Sequence, residues 1–129
     1  MRGFIANIEK ETENNDFFRK VLFTANYSQL VLMSLKPGEE IGEEVHGLDQ
    51  FFRFEEGEGK VILEREEFEV KAGYAAVIPA GTKHNVINIS SDKALKLYTI
   101  YSPPNHQDGT IHKNKEEAVE EHFDGKTSF

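Results

Sequence analysis

Two histidines, a carboxylate and an amide define the chemistry open to this chain. Glu44 and His46 are two positions apart, and Gln50 follows across a Gly47-Leu48-Asp49 turn signal. In an extended segment such neighbours leave the same face, so a carboxylate and an imidazole point together. His84 stands just after Pro79-Ala80-Gly81. Pro79 presets one backbone angle and Gly81 accepts a positive one, so the chain reverses tightly and brings His84 to the mouth of whatever the strands enclose. Oxygen and imidazole donors suit Fe(II), Mn(II), Ni, Co or Zn, and a chain without cysteine offers no thiolate to softer metals. Two imidazoles and one carboxylate with positions left open form the ligand set of non-haem iron oxygenases. A bound dication needs Glu44 ionised and both imidazoles neutral, so its binding is expected to weaken as pH falls.

The elements that must hold these residues read as β-strands almost throughout. Apolar or alternating runs cover 17–24, 29–36, 50–54, 75–78, 85–89 and 94–101, and 61–63 with 68–70 form hairpin arms. Short strands at this spacing, with turn signals between them, predict an all-β fold, a small antiparallel β-barrel or jelly roll. Near the end, Asn114 is a plausible N-cap for a helix over 115–123, with Gly125 as its stop. Pro103-Pro104 divide residues 1–101, the barrel domain, from residues 102–129, a C-terminal loop and short helix appended to it.

Composition narrows the partners. A chain of 129 residues supports one domain with a real core, and 38% hydrophobic residues with ten Phe are enough to fill it. A formal charge of -8 argues against nucleic acid or an anionic membrane, since both need a basic footprint. No apolar run approaches the ~20 residues of a membrane span. With no cysteine to form disulfides, a cytoplasmic setting is expected.

The two segments resemble the paired signature of the cupin superfamily, in the small single-domain microbial form. Its second motif, Gly, five residues, Pro-x-Gly-x-x-His-x-x-x-Asn, is matched by Gly73, Pro79, Gly81, His84 and Asn88. The first motif is matched in spacing by Gly38, His46 and Gly57, with Glu44 where the family usually has its first histidine and Gln50 where it usually has glutamate. The carboxylate has thus moved from one position to another, and the summed ligand charge stays at minus one. The resemblance implies a metal held by Glu44, His46, Gln50 and His84, and a homodimer formed by exchange of N-terminal strands.

Three readings of function stay open. In the first the chain is a metal-dependent enzyme on a small polar organic substrate. Oxygenase chemistry is favoured there, and the variant is a sugar or keto isomerase or lyase in which a carboxylate moves a proton. A sugar-phosphate substrate fits poorly, because only Arg53 or Lys83 lies near the motifs. The second reading is a non-catalytic small-molecule-binding cupin, and the third a structural protein whose metal only staples strands. Outside the motifs, His106, His112 and His122 read as surface residues, although His106 could lie over the barrel mouth. Tyr74, Tyr98 and Tyr101 read as structural, and Phe51, Phe52 and Phe54 as core.

Overall fold

Apolar side chains alternate along most strands, and the structure gathers their buried faces between two antiparallel sheets. The computed structural model describes residues 1–119 and 121–129. Helix α1 (Ile8–Glu13) precedes β1 (Arg19–Thr24), β2 (Gln29–Leu35), β3 (Asp49–Glu56), β4 (Glu58–Leu63), β5 (Glu66–Lys71), β6 (Ala75–Ile78), β7 (His84–Asn88), β8 (Leu95–Ser102) and β9 (Ile111–His112). A six-stranded sheet has the order β6-β3-β8-β2-β1-β9, and a three-stranded sheet the order β5-β4-β7. Val31, Met33 and Leu35 of β2, Phe52 and Phe54 of β3, and Leu95 and Leu97 of β8 meet Val61, Val70 and Val86 of the smaller sheet. Each such side chain contributes roughly 1.5–3 kcal/mol on burial, and that is the scale against which unmade hydrogen bonds at the mouth must be set. Phe51 departs from the expected core triplet: it lies on the outer face, its ring 6.2 Å from that of Tyr98.

The expected barrel is not closed. At Gly57 (φ 95°) the chain leaves the larger sheet and enters β4 of the smaller one. A Cβ there would collide with the Ala94 carbonyl oxygen, so only glycine makes the crossing without strain. Alternation of buried and exposed residues tells which face is inside, but it is the same for a closed barrel and for two facing sheets.

The expected C-terminal helix is a single 3-10 turn, Lys115–Glu117. Asn114 does cap it, its side-chain oxygen accepting from the Glu117 N–H at 3.0 Å. Beyond the turn, the Gln107 N–H donates to Glu121 O, the Phe123 N–H donates to Asn105 O, and His106 bridges His122. Tertiary pairing along the 105–107 segment thus overrides helix propensity. Residue 120 of the expected helix lies outside the described residues. A helix forms instead at the other end of the chain, where Asn7 caps α1 with Glu9 and Glu11 in its first turn. Lys96 anchors that end by donating to Glu13 O and Asp16 Oδ1, both at 2.8 Å.

The same C-terminal segment covers the outer edge of β1. Phe18 and Val21 donate to the carbonyls of Lys113 and Thr110, and Thr24 donates to Ser128 Oγ. Among the described residues no helix is long and apolar enough to cross a membrane.

Candidate functional site

The inner face of the larger sheet changes character toward one end. Pairing places Gln29, Tyr101, Gln50 and Ile78 in one row across β2, β8, β3 and β6, with Val31, Thr99, Phe52 and Ala76 in the next. Side-chain period two puts alternate residues of β8 inward, so the apolar Leu95 and Leu97 give way to Thr99 and Tyr101 at the mouth. Gln50 is buried there and donates from Nε2 to Thr99 Oγ1 at 3.0 Å. That contact turns its carbonyl oxygen the other way.

The smaller sheet supplies the opposing residues. The segment 39–46 runs beside β7 as an irregular extra strand, with bridges Glu40–Ile87 and Glu44–His84. The Glu44 N–H donates to His84 O at 2.8 Å, and the His84 N–H returns the bond to Glu44 O at 2.9 Å. The Pro79-Ala80-Gly81 turn closes the mouth: Gly81 (φ 85°) donates to His46 O at 2.8 Å, and Ala80 donates to Asp49 Oδ1 at 2.9 Å. Asn88 is a clamp rather than a ligand, its Nδ2 reaching the carbonyls of Leu35, Lys36 and Lys93 at 3.0, 3.1 and 2.9 Å.

The sequence-expected residues therefore converge, but incompletely. Glu44 Oε2 lies 3.0 Å from His46 Nε2, and the His46 and His84 rings are 5.5 Å apart between centroids. The His84 Nδ1 is 2.9 Å from Thr82 O. A carbonyl only accepts, so Nδ1 carries the proton and Nε2 keeps a bare lone pair. Among the described residues no three His, Asp or Glu side chains are grouped as a ready metal site.

The chemistry of the donors nevertheless fits a cation. Among the described residues five buried side-chain nitrogen or oxygen atoms lack a hydrogen bond, and two of them are His46 Nε2 and Gln50 Oε1. The 3.0 Å separation of Glu44 from His46 is an ion-pair distance, yet the contact is not a hydrogen bond. A carboxylate that lies off the N–H direction gains little hydrogen-bond energy even at such a distance. Two ligand atoms sharing one ion at right angles, each about 2.1 Å from it, are also about 3.0 Å apart. Two imidazoles sharing an ion at angles between 90 and 120 degrees have centroids about 4.6–5.6 Å apart by the same bond length.

Outside the mouth lies a cleft of ≈ 510 Å³ between residues 41–46, the start of β1 and the C-terminal segment. Its far wall includes Asn105, His106 and His122 of this same chain, so the C-terminal segment flanks the site of its own subunit. Gln29 holds that wall in place, accepting from the Asn105 and His106 N–H groups at 3.2 and 3.0 Å and donating to His106 O at 2.7 Å.

Two residues read from sequence as surface histidines are buried instead: His106 is 8% and His112 is 4% exposed. His106 Nε2 stands 3.3 Å from the Tyr101 hydroxyl, and Tyr101 lies edge-on to His46 with centroids 5.9 Å apart. Burial, helped by the positive Arg19, lowers the His106 pKa to about 3. Burial likewise raises Tyr101 far above the ordinary phenol value. Asn105 Nδ2, 3.4 Å from His106 Nε2, can only donate, so Nε2 is an acceptor and the neutral Tyr101 O–H is the donor in its contact with it. Burial, then Arg19, also pushes His112 down. Sequence reasoning placed His106 over the mouth only as the lesser of two readings, and missed Arg19, Thr99, Asn105 and the site role of Tyr101. Nothing local marks them, since each is delivered by pairing with a distant strand.

Comparison with known proteins agrees with this architecture. The Cupin domain family matches residues 31–101. The uncharacterized protein YrkC of Bacillus subtilis is 46% identical over 125 residues, covering 92% of this chain and 67% of that protein. The uncharacterized protein L612 of Acanthamoeba polyphaga mimivirus is 43% identical over 112 residues, covering 84% of this chain and 70% of that one. The crystal structure of BH2720 from Bacillus halodurans superposes with a TM-score of 0.86 at 48% identity, over 90% of this chain and 92% of that one. Arg19, His106 and His122 lie outside the matched stretch, whereas all four expected ligands lie within it, at the mouth between the two facing sheets; the chain belongs to the cupin family.

Proposed function

We propose that Glu44, His46, Gln50 and His84 hold a divalent metal ion, Fe(II) or Mn(II) in preference to Ni, Co or Zn. In this reading the protein is a metal-dependent enzyme on a small polar organic molecule, with oxygenase chemistry favoured. The observation that carries it is the pair of buried atoms without hydrogen bonds, His46 Nε2, 3.0 Å from the Glu44 carboxylate, and Gln50 Oε1 on the facing sheet. Leaving each unmade costs about 1–3 kcal/mol, which a cation accepting both lone pairs offsets. When bound, the ion supplies a Lewis acid with positions open to substrate and dioxygen.

The chain's own residues do the rest. Thr82 O fixes the His84 tautomer, and Thr99 turns the Gln50 amide. Tyr101 and His106 offer hydrogen bonds without changing charge near neutral pH. In the alternative isomerase or lyase reading, Glu44 would leave the ion to His46, Gln50 and His84 and move a proton instead. The further alternative, a non-catalytic small-molecule-binding cupin, needs the cleft but not the ion. A homodimer in the cytoplasm remains part of the proposal, although the covered β1 edge directs any pairing of subunits elsewhere.

The test is oxygen uptake by anaerobically Fe(II)-loaded protein with diketones, thiols and sugar acids. Uptake abolished by chelation supports the oxygenase. Substrate conversion without uptake supports the isomerase or lyase, and binding that survives chelation without turnover supports the binding module.

A further inference from the structure

Among the described residues, one cation in the cleft has no counter-charge. Arg19 is 7% exposed and lines the cleft together with Glu44 and His46. Its Nη1 is 3.1 Å from His112 Nδ1, its guanidinium carbon sits 5.1 Å from the Phe18 ring centroid, and its buried Nε–H has no acceptor. Arginine keeps its proton and can only donate, so His112 accepts at Nδ1 as a neutral ring and leaves the charge uncompensated. Its Nε2 is likewise buried without a partner.

The carboxylates of the cleft are engaged elsewhere. Glu44 turns to His46 at 3.0 Å, Glu43 to Lys83 at 3.7 Å, and Glu121 accepts from Thr110 Oγ1 at 3.3 Å. Among the described residues none pairs with Arg19. A buried charge held without its counter-ion is costly, and the aromatic face of Phe18 offsets only part of that cost. The guanidinium is also pre-oriented, stacked on one side and bonded at one nitrogen, which spares a ligand the entropy of ordering it.

We propose that Arg19 is the substrate-anchoring residue of this cleft, and that the group it binds is a carboxylate. A flat, singly charged carboxylate matches the planar fork of one arginine. A phosphate dianion would call for more positive charge, and the cleft's other cation, Lys115, is turned to the Glu40 carbonyl. The proposal names the substrate class for the site described above and rests on that cleft being the working site.

The experiment titrates the full chain, metal-free and with Zn(II), using pyruvate, lactate and phenylacetate, each beside its amide, and inorganic phosphate. Calorimetry reads affinity, and NMR of the Arg19 Nε–H reads the contact. We expect at least one carboxylate to bind roughly tenfold to hundredfold more tightly than its amide, the range for a hydrogen bond to a charged group. It should also move the Nε–H resonance. Arg19→Gln should remove the preference, Arg19→Lys should keep part of it, and Zn(II) affinity should stay within about threefold in both, since neither adds or removes a metal donor. Carboxylates no better than amides, a preference for phosphate, or selectivity that survives in Arg19→Gln would overturn the proposal. Should Arg19→Gln fail to fold, the wild-type preference and the Nε–H shift decide by themselves. Carboxylate selectivity without Zn(II) binding leaves Arg19 in place and removes the metal; one Zn(II) per chain without selectivity does the reverse.

Discussion

Acid should destabilise this protein well above the range in which carboxylates titrate, and His106 is the cause. Its pKa falls from the ordinary 6.5 to about 3 in the folded state, because burial disfavours the imidazolium and Arg19 repels it. A depressed folded value means that the unfolded chain binds the proton first. The stability of the neutral buried ring is fully present above 6.5 and is lost as pH falls from there toward 3. Between pH 7.5 and 5.0 the loss depends only on the unfolded value and amounts to about 2 kcal/mol. For a domain of this size that is a drop of roughly 7 °C in Tm. Urea unfolding of chelated protein at both pH values, beside His106→Gln, isolates the contribution. The variant starts less stable, because Tyr101 loses its acceptor, but it should lose about 2 kcal/mol less over the interval. Equal losses in the two proteins would refute the reasoning, and would mean that His106 takes up its proton without unfolding.

Three further outcomes follow from single contacts. Asn88→Ala strips a donor from three carbonyls and should cost about 3 kcal/mol or more in urea unfolding; a loss below about 1 kcal/mol would show that water replaces the clamp. Gly57→Ala must place a methyl against the Ala94 carbonyl at positive φ, so it should yield insoluble protein or a Tm lowered by about 10 °C or more. A Tm unchanged by that substitution would show that the crossing between sheets has room to spare. His84→Ala should abolish Mn(II) binding, whereas Gln50→Ala should weaken it less, because an amide is the poorer donor; equal losses in equilibrium dialysis would reverse that ranking.

The mouth of the fold was legible because its motif residues are backbone devices. Gly81 takes the positive φ it was read for, and the turn it makes carries His84 to the site. Glu44 and His46 keep their shared face although no regular strand runs through them, since bridges to β7 impose the extended geometry. Asn88, matched only as a motif letter, proves to be the clamp on three carbonyls.

What the sequence did not reveal is set by pairing between distant segments. Arg19 reads as an ordinary polar strand residue until β9 brings His112 against it. His106 reads as a loop histidine until Gln29, 77 residues away, fastens it under the mouth. The helix expected over 115–123 has the cap and composition of one, but its residues gain more by pairing with 105–107.

The central claim is that one divalent ion unites side chains from both sheets. Metal analysis of protein purified without chelator or histidine tag, repeated after anaerobic Fe(II) addition, examines it most directly. About one equivalent per chain, lost in His84→Ala and retained in Glu43→Gln, is the expected result for a site whose ligands exclude the exposed neighbour Glu43. Metal far below stoichiometry in the loaded wild type would contradict it.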